Sequence, residues 1–215
     1  MGQLRIATPK LDLAGDDALV EFTKTLPGYY DEDEIRANLE CVRSLPWGGR
    51  IVELGVQFGR SASIYFQEYQ RRARSAIVEA RDGLPLSITL VDTWCVDGKD
   101  AKPFFERMAG QFQMEGRFVG HWIRSDEAER LIPAPIHLLH IDADHIDGVR
   151  TDCRDYIPKV APGGWILVHD YQRRGEASNE LFPNVKEAVD LYTKEYGLED
   201  HGVVNTLAVR RKVSA

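Results

Sequence analysis

The sequence predicts an α/β protein built on a doubly wound, mostly parallel sheet, and three observations carry that prediction. Short apolar runs rich in β-branched residues alternate along the chain with longer segments of helical period. The runs are apolar at consecutive positions, as strands covered on both faces are, and lack the in–out alternation of a half-exposed sheet. The length of 215 residues suits one domain with a full core, and 43% hydrophobic residues support a globular chain.

A loose leader precedes "YYDEDEIRANLECVRSLPWGG". There Asp31 and Glu34 have capping-box spacing, and Ile35, Leu39 and Val42 recur at helical intervals. "PWGG" ends that helix, and "RIVELG" follows as a short strand. "RSASIYFQEYQRRAR" reads as a helix with Ile64 inward and with Arg71, Arg72 and Arg74 on a solvated face. "SAIVEA" either extends that helix or adds a strand. The strands "SITLVDTW", "RFVGHWIRSD", "IHLLHIDAD" and "GGWILVHDY" then alternate with the helices "AKPFFERMAGQF", "SDEAERLI", "GVRTDCRDYIPKV" and "FPNVKEAVDLYTKEY". "HGVVNTLAVRRK" closes the chain as strand material. Residues 1–49 are expected to form a leader and helix packed on a domain of residues 50–215.

Composition narrows the function. Lys and Arg number 27 against 34 Asp and Glu, a net charge of −7, which argues against a nucleic-acid groove, since that needs clustered Lys and Arg to neutralise phosphates. Cys41, Cys95 and Cys153 are odd in number and lack metal-ligand spacing, so free thiols in a reducing cytoplasm are expected. No apolar run approaches the roughly 20 residues of a membrane span, and the first residues do not read as a secretory signal.

The chemistry is expected at the strand ends. In open α/β sheets ligands bind beyond the carboxyl ends of the strands, at the point where strand order reverses. In "RIVELGVQFGRSAS" Gly55 turns the chain sharply off its strand with no side chain to obstruct a ligand. Gly59 keeps the next turn close, and Glu53 shares a strand face with Gly55. The spacing G-x-x-x-G departs from the dinucleotide fingerprint G-x-G-x-x-G, which argues against a nicotinamide oxidoreductase. Packing alone also explains such glycines. Three further strands end in acids: Asp92; Asp142 with Asp144 and His145; and Asp170 after His169. Asp92 can accept hydrogen bonds from ribose hydroxyls. One such acid is an ordinary turn residue, but three at corresponding tips point to a site, because buried carboxylates are costly unless paired.

Together "VELGVQFGRS", "LVDTW", "IDADHIDGVRTD" and "APGGWILVHDY" resemble a class I S-adenosylmethionine-dependent methyltransferase. More narrowly they resemble the group with macrolide-sugar O-methyltransferases and proteins described as cephalosporin hydroxylases. The resemblance spans about Arg50 to Arg211. It implies a Rossmann-like sheet of seven strands, order 3-2-1-4-5-7-6, with the last strand antiparallel. It implies that Glu53 and Gly55 contact the methionine side of the cofactor, with Gly59 and Ser61 in the cofactor-binding turn beside them, Asp92 at the ribose, Ser125 near the adenine, and Asp142 also beside the cofactor. It implies Asp142 and Asp170 as ligands of Mg²⁺ or another divalent cation, and His145 as general base. Asp92 lies 37 residues beyond Gly55, a longer gap than the family's, which leaves Glu79 as a rival ribose acid. Asp144 or His169 is open as a third ligand; Asp144 otherwise reads as a turn residue and His169 as a core histidine bonded to backbone. His145 alternatively caps the next helix. Trp94 and Trp122 read as core, and Tyr29 and Tyr30 as a lid.

The expected function is a divalent-metal-dependent O-methyltransferase acting on a hydroxylated small molecule. A metal-independent methyltransferase and a non-catalytic S-adenosylmethionine-binding protein are the alternatives. A nucleic-acid acceptor is not expected: "DADH" stands where amino-methylating DNA enzymes carry D/N-P-P-Y/F, and no cysteine follows a proline. Neither is a membrane partner, while self-association is left open.

Overall fold

The computed structural model of the protein describes residues 15–79, 82–96, 99–172 and 181–213. The first 14 residues of the leader lie outside this set. The main sheet has seven strands: β1 (Gly49–Leu54), β2 (Leu86–Val91), β3 (Val119–His121), β4 (Ile136–Ile141), β5 (Val160–Val168), β6 (Glu199–Val204) and β7 (Leu207–Arg211). Their order is β3-β2-β1-β4-β5-β7-β6. Strands β3 to β5 pair in parallel, and β7 runs antiparallel to both its neighbours. This is the seven-strand, Rossmann-like α/β sheet expected from the sequence.

Helices α1 (Asp16–Thr25), α2 (Glu32–Arg43), α3 (Ala62–Glu79) and α4 (Lys102–Gln111) cover one face. Helices α5 (Ser125–Ala128), α6 (Gly148–Tyr156) and α7 (Pro183–Glu195) cover the other. Successive strand residues feed opposite cores, which explains the uninterrupted apolar runs. Ile51, Leu138 and Leu167 face α1–α4, while Val52, Leu139 and Ile166 face α5–α7. No helix among the described residues is long and apolar enough to cross a membrane.

Four local readings change. The leader contains α1, a helix of ten residues whose Leu19, Val20 and Thr23 are buried. So short a helix is marginal alone. It is held by tertiary contacts, including an Arg43–Asp16 ion pair and a 3.0 Å bond between the Thr23 and Ser63 hydroxyls. Residues 75–79 of "SAIVEA" extend α3 and form no extra strand, and residue 80 lies outside the described residues. "HGVVNTLAVRRK" is a hairpin of β6 and β7, turned at Asn205 with φ 51°. Arg72 is not on the solvated face; it is buried, 2.7 Å from Glu68 and donating to the carbonyls of Val42 and Pro46.

The capping box of α2 forms. Glu34 N–H donates to Asp31 Oδ1 at 2.9 Å, and Asp31 N–H donates to Glu34 Oε2 at 2.8 Å. The other oxygen of Glu34 accepts from the backbone N–H and the hydroxyl of Thr206, at 2.9 and 2.6 Å, in the β6–β7 turn. Glu34 is fully buried and ties α2 to the far hairpin of the sheet. Asp31→Ala is expected to cost about 1 kcal/mol, the worth of a cap, and Glu34→Ala about 3 kcal/mol, because three donors lose their acceptor. Urea unfolding checks this; equal losses would show that the Thr206 contacts carry no stability.

Candidate active site

Strand register puts four chain ends in one row. Leu54 pairs with Val91 and with Ile141, and Ile141 pairs with Val168. The next residues are therefore Asp92, Gly55, Asp142 and His169, side by side across β2, β1, β4 and β5. The hydrogen-bond ladder runs one step further to hold them: Gly55 N–H donates to Val91 O, Asp142 N–H to Leu54 O and His169 N–H to Ile141 O, at 2.8, 2.7 and 3.0 Å.

Gly55 has φ 84°, and a Cβ there would lie 2.0 Å from the Asp142 carbonyl oxygen. The residue is glycine because β1 turns off the sheet in contact with the end of β4, a stronger reason than ligand access. At Gly59 a Cβ would lie 2.2 Å from Met108 Cε and 2.8 Å from Phe105. That glycine packs on α4, and Arg60 and Ser61 just beyond it line the crevice. Asp92 holds the turn between the two glycines. Its Oδ2 accepts from the N–H groups of Val56 and Gln57 at 2.5 and 2.7 Å, and its Oδ1 from Trp94 N–H. Three donors occupy most of the roughly four lone-pair sites of a carboxylate. Asp92 thus faces the crevice while already engaged by the loop. The rival, Glu79, ends the helix that begins at Ala62; 17 residues at 1.5 Å each put its backbone roughly 25 Å along the axis from the site.

Glu53 is fully buried beneath the crevice floor and does not line it. Its Oε1 meets the Ser61 hydroxyl and His140 Nδ1, the latter at 3.1 Å, where Tyr65 also reaches the imidazole at 3.1 Å. Burial pushes the Glu53 carboxyl up against the opposing pull of His140 and Ser61. Glu53 thereby supports Ser61, which lines the crevice.

Acids and histidines converge on the other side of β1. His145 Nε2 lies 3.2 Å from Asp142 Oδ1 and 3.4 Å from Asp170 Oδ2. His169 Nδ1 lies 3.2 Å from Asp142 Oδ1 and 3.6 Å from Asp170 Oδ2. On its far side His169 Nε2 is 3.6 Å from Glu34 Oε1. The imidazole therefore meets carboxylates, not backbone carbonyls. Burial would lift the Asp142 carboxyl, but His169, His145 and His140 outweigh it and hold it well below the usual carboxylate range. Burial likewise opposes charge on His169 and His145, and the surrounding carboxylates overcome it and raise both. Asp142, His169 and Asp170 each offer a donor atom within 4.8 Å of the others. Asp170 sits at φ 59°, and its Oδ2 faces His145 and His169.

Asp144 is a turn residue: its Oδ1 accepts from Ile146 N–H at 2.9 Å and its Oδ2 from Gly148 N–H at 3.2 Å at the start of α6. That role leaves none for His145 as a cap. Tyr30 is buried against His140 and His169 and still lines the crevice, while Tyr29, at 88% exposure, stands at the crevice mouth. Trp94 is buried against Phe105, whereas Trp122 is half exposed under Lys102.

Gly55, Ser61, Asp92, Ser125, Asp142, His145 and Asp170 all line one crevice of about 620 Å³. Of the two residues left open as a third donor, His169 joins the cluster and Asp144 does not, because its place directly before Asp170 in "WILVHD" gives His169 the register position beside Asp142. The sequence reading missed Asp152 and Arg60, both on the crevice wall, because neither lies at a strand tip.

The strand order and a crevice at the reversal beside β1 define a class I methyltransferase fold. Residues 52–171 match the family described as "Methyltransferase domain", more than half of the chain. The chain belongs to that family and is an S-adenosylmethionine-dependent methyltransferase. No curated protein matches the sequence. Solved structures share the fold. The O-methyltransferase NovP is 17% identical with TM-score 0.53, covering 85% of this chain and 81% of its own. CalS11, a TDP-rhamnose 3'-O-methyltransferase of calicheamicin biosynthesis, is 19% identical with TM-score 0.54, covering 82% and 76%. Cofactor-bound Rv0187 from MTB is 13% identical with TM-score 0.66, covering 94% and 93%.

The two glycines give separable expectations. Gly55→Ala forces backbone against backbone and is expected to cost about 3 kcal/mol and to abolish S-adenosylhomocysteine binding. Gly59→Ala meets movable side chains and is expected to lower stability while leaving affinity within about threefold. Calorimetric titration and thermal unfolding of both variants check this.

Proposed function

We propose that the protein transfers the methyl group of S-adenosylmethionine to a hydroxyl of a small-molecule acceptor, with a divalent cation at Asp142, His169 and Asp170. The observation that carries this reading is the convergence of those three donors in the crevice beside His145. The residues fit a cation: two carboxylates and an imidazole meet at one point, and neither His169 nitrogen has a well-formed hydrogen bond despite full burial. The nitrogen donor weights the choice from Mg²⁺ toward Mn²⁺ or a later ion.

When bound, S-adenosylmethionine supplies a methyl group on a sulfonium, ready for in-line displacement. When bound, the cation supplies a Lewis acid that eases loss of the acceptor's proton. The protein's task is then alignment, which can supply up to roughly 7–11 kcal/mol of the barrier, and proton removal. In this reading His145, its ring against Phe182 at 4.6 Å, takes the acceptor's hydroxyl proton at Nε2 once that nitrogen has lost the proton Asp142 and Asp170 favour on it. Glu34 faces the outer nitrogen of His169 and fixes which nitrogen points into the cluster. Tyr29 and Phe182 flank the crevice and suit an acceptor with an apolar face. The likeness to the O-methyltransferase NovP and to CalS11, which acts on TDP-rhamnose, supports a hydroxyl acceptor on a sugar or other natural product. The three cysteines are free, as a cytoplasmic setting would leave them.

A metal-free reading has its own support, since His145 and His169 already face the carboxylates they would neutralise. Conversion of S-adenosylmethionine to S-adenosylhomocysteine against a panel of hydroxylated sugars and phenols separates the two. EDTA and Asp170→Ala are each expected to cut turnover at least about 100-fold, with Mn²⁺ or Mg²⁺ restoring the EDTA-treated wild type. S-adenosylhomocysteine affinity is expected to stay within about threefold in Asp170→Ala. Turnover that survives both treatments assigns the acids to a cationic acceptor. Tight cofactor binding without turnover on any acceptor assigns the protein to non-catalytic binding.

A further inference from the structure

The crevice carries a charge imbalance that the transfer step does not use. Among the described residues, seven aspartates and two arginines line it, with no lysine. Both arginines are already engaged. Arg60 donates to the carbonyls of Thr23, Lys24 and Gly28, and Arg124 pairs with Asp126 at 3.1 Å. Backbone donors that could hold an anion are likewise taken by the chain's own acids. In the turn after β1, the N–H groups of Val56 and Gln57 go to Asp92. At the start of α6, those of Ile146 and Gly148 go to Asp144, and in α5 that of Glu127 goes to Asp126. An anion entering here would lose water and meet carboxylates where it needs donors.

The imbalance persists once the cofactor and a cation are counted. In the state that turns over, His145 as base and His169 as cation ligand are both neutral. The two arginines, a divalent cation and the single net positive charge of S-adenosylmethionine then fall short of the seven carboxylates. They fall short even when Asp152, raised to about 7 chiefly by burial, keeps its proton. A cleft with low-dielectric walls focuses such a field. Asp142, Asp144 and Asp147 share the β4–α6 loop with His145, so much of this charge stands where the acceptor must enter. The rim there is apolar. Tyr29 is 88% exposed and Ile146, between His145 and Asp147, is 64% exposed, while Phe182 lies against the His145 ring. Large apolar side chains left uncovered at the mouth of a site suit a ligand with an apolar surface.

Resting on the transferase reading above, we propose that the acceptor carries no negative charge: it is a neutral or amine-bearing hydroxyl compound with an apolar face, and carboxylated, phosphorylated or nucleotide-linked acceptors are rejected by charge. The acids act here as repulsive elements against the wrong acceptor, in addition to any cation they hold. Tyr29 covers the acceptor's apolar face and is a specificity residue of the doorway.

Two matched series test this with the Mn²⁺-loaded protein, scored by release of S-adenosylhomocysteine. One is catechol bearing a carboxylate, a carboxamide or an aminomethyl group at the same ring position; the other is a phenyl glucoside bearing the same three groups. Within a series, kcat/KM for the carboxylate is expected to be at least about 10-fold below that for the carboxamide at low salt, with the amine equal to or above the carboxamide. Raising NaCl from about 20 to about 300 mM is expected to narrow that gap at least about threefold, because a field is screened and a steric clash is not. Asp147 supplies a variant outside the proposed cluster: it is exposed, and its side chain makes no cap bond on α6. Asp147→Lys is expected to narrow the gap about 3- to 10-fold at low salt and to leave carboxamide turnover within about twofold. Tyr29→Ala is expected to raise acceptor KM about 3- to 10-fold in both series, with S-adenosylhomocysteine affinity by calorimetry within about twofold. A carboxylate processed as well as its carboxamide overturns this proposal alone. So does a gap indifferent to both salt and Asp147→Lys, which assigns the preference to shape, or an acceptor KM unmoved in Tyr29→Ala. Failure of every compound while S-adenosylhomocysteine binds overturns the transferase reading as well.

Discussion

The close approach of two backbones sets the geometry of the site. Where β1 leaves the sheet, its chain passes against the carbonyl of Asp142, a contact that only a residue without Cβ permits. That contact fixes the turn against the end of β4. The flush register of β2, β1, β4 and β5 then does the rest, because each strand delivers its next residue into the same row. Parallel pairing with equal strand ends is a backbone property, enforced by two apolar cores pressing on both faces of the sheet. The chemistry is thus placed by packing remote from it.

Charge balance is the second constraint. Glu34, Asp142 and Asp170 gather within a few ångströms of His169, and His145 closes the group on the crevice side. Carboxylates this close repel one another unless cations intervene. The imidazoles meet that need in the structure as it stands, and an added cation would compete with their protons for the same oxygens. Proton release would then accompany metal uptake, which links the state of the proposed base to occupancy of the neighbouring site.

Much of this was legible in the residues. The alternation of apolar runs and helical segments indicated the layered α/β architecture, and acids at the tips of "ITLVD" and "LLHIDAD" marked the edge where ligands bind. The capping box of Asp31 and Glu34 was readable because it is local. Other features depend on distances that sequence does not encode. Helix α1 has weak local signals and stands on contacts made by α2 and α3. Glu34 looks like half of a cap, yet it reaches 172 residues along the chain to Thr206. His169 looked like core because a buried histidine in an apolar run usually is; only the register with β4 sets it beside Asp142. Gly59 looked like part of a ligand turn, but its neighbours are Met108 and Phe105 from a helix distant in sequence.

Arg60 bears on how the acceptor side can change. Its guanidinium donates to the carbonyls of Thr23 and Lys24 at 3.1 and 2.9 Å and also to that of Gly28. One side chain just past the glycine turn thereby grips the stretch joining α1 to α2, the stretch that brings Pro27, Gly28 and Tyr29 to the mouth. The glycine turn and the crevice mouth are mechanically fastened together, and with them the proposed methyl-donor and acceptor sides. Grafting a foreign doorway to redirect acceptor choice would require transplanting the arginine and its three carbonyl partners as one cassette, since either half alone leaves a cation without its anchors.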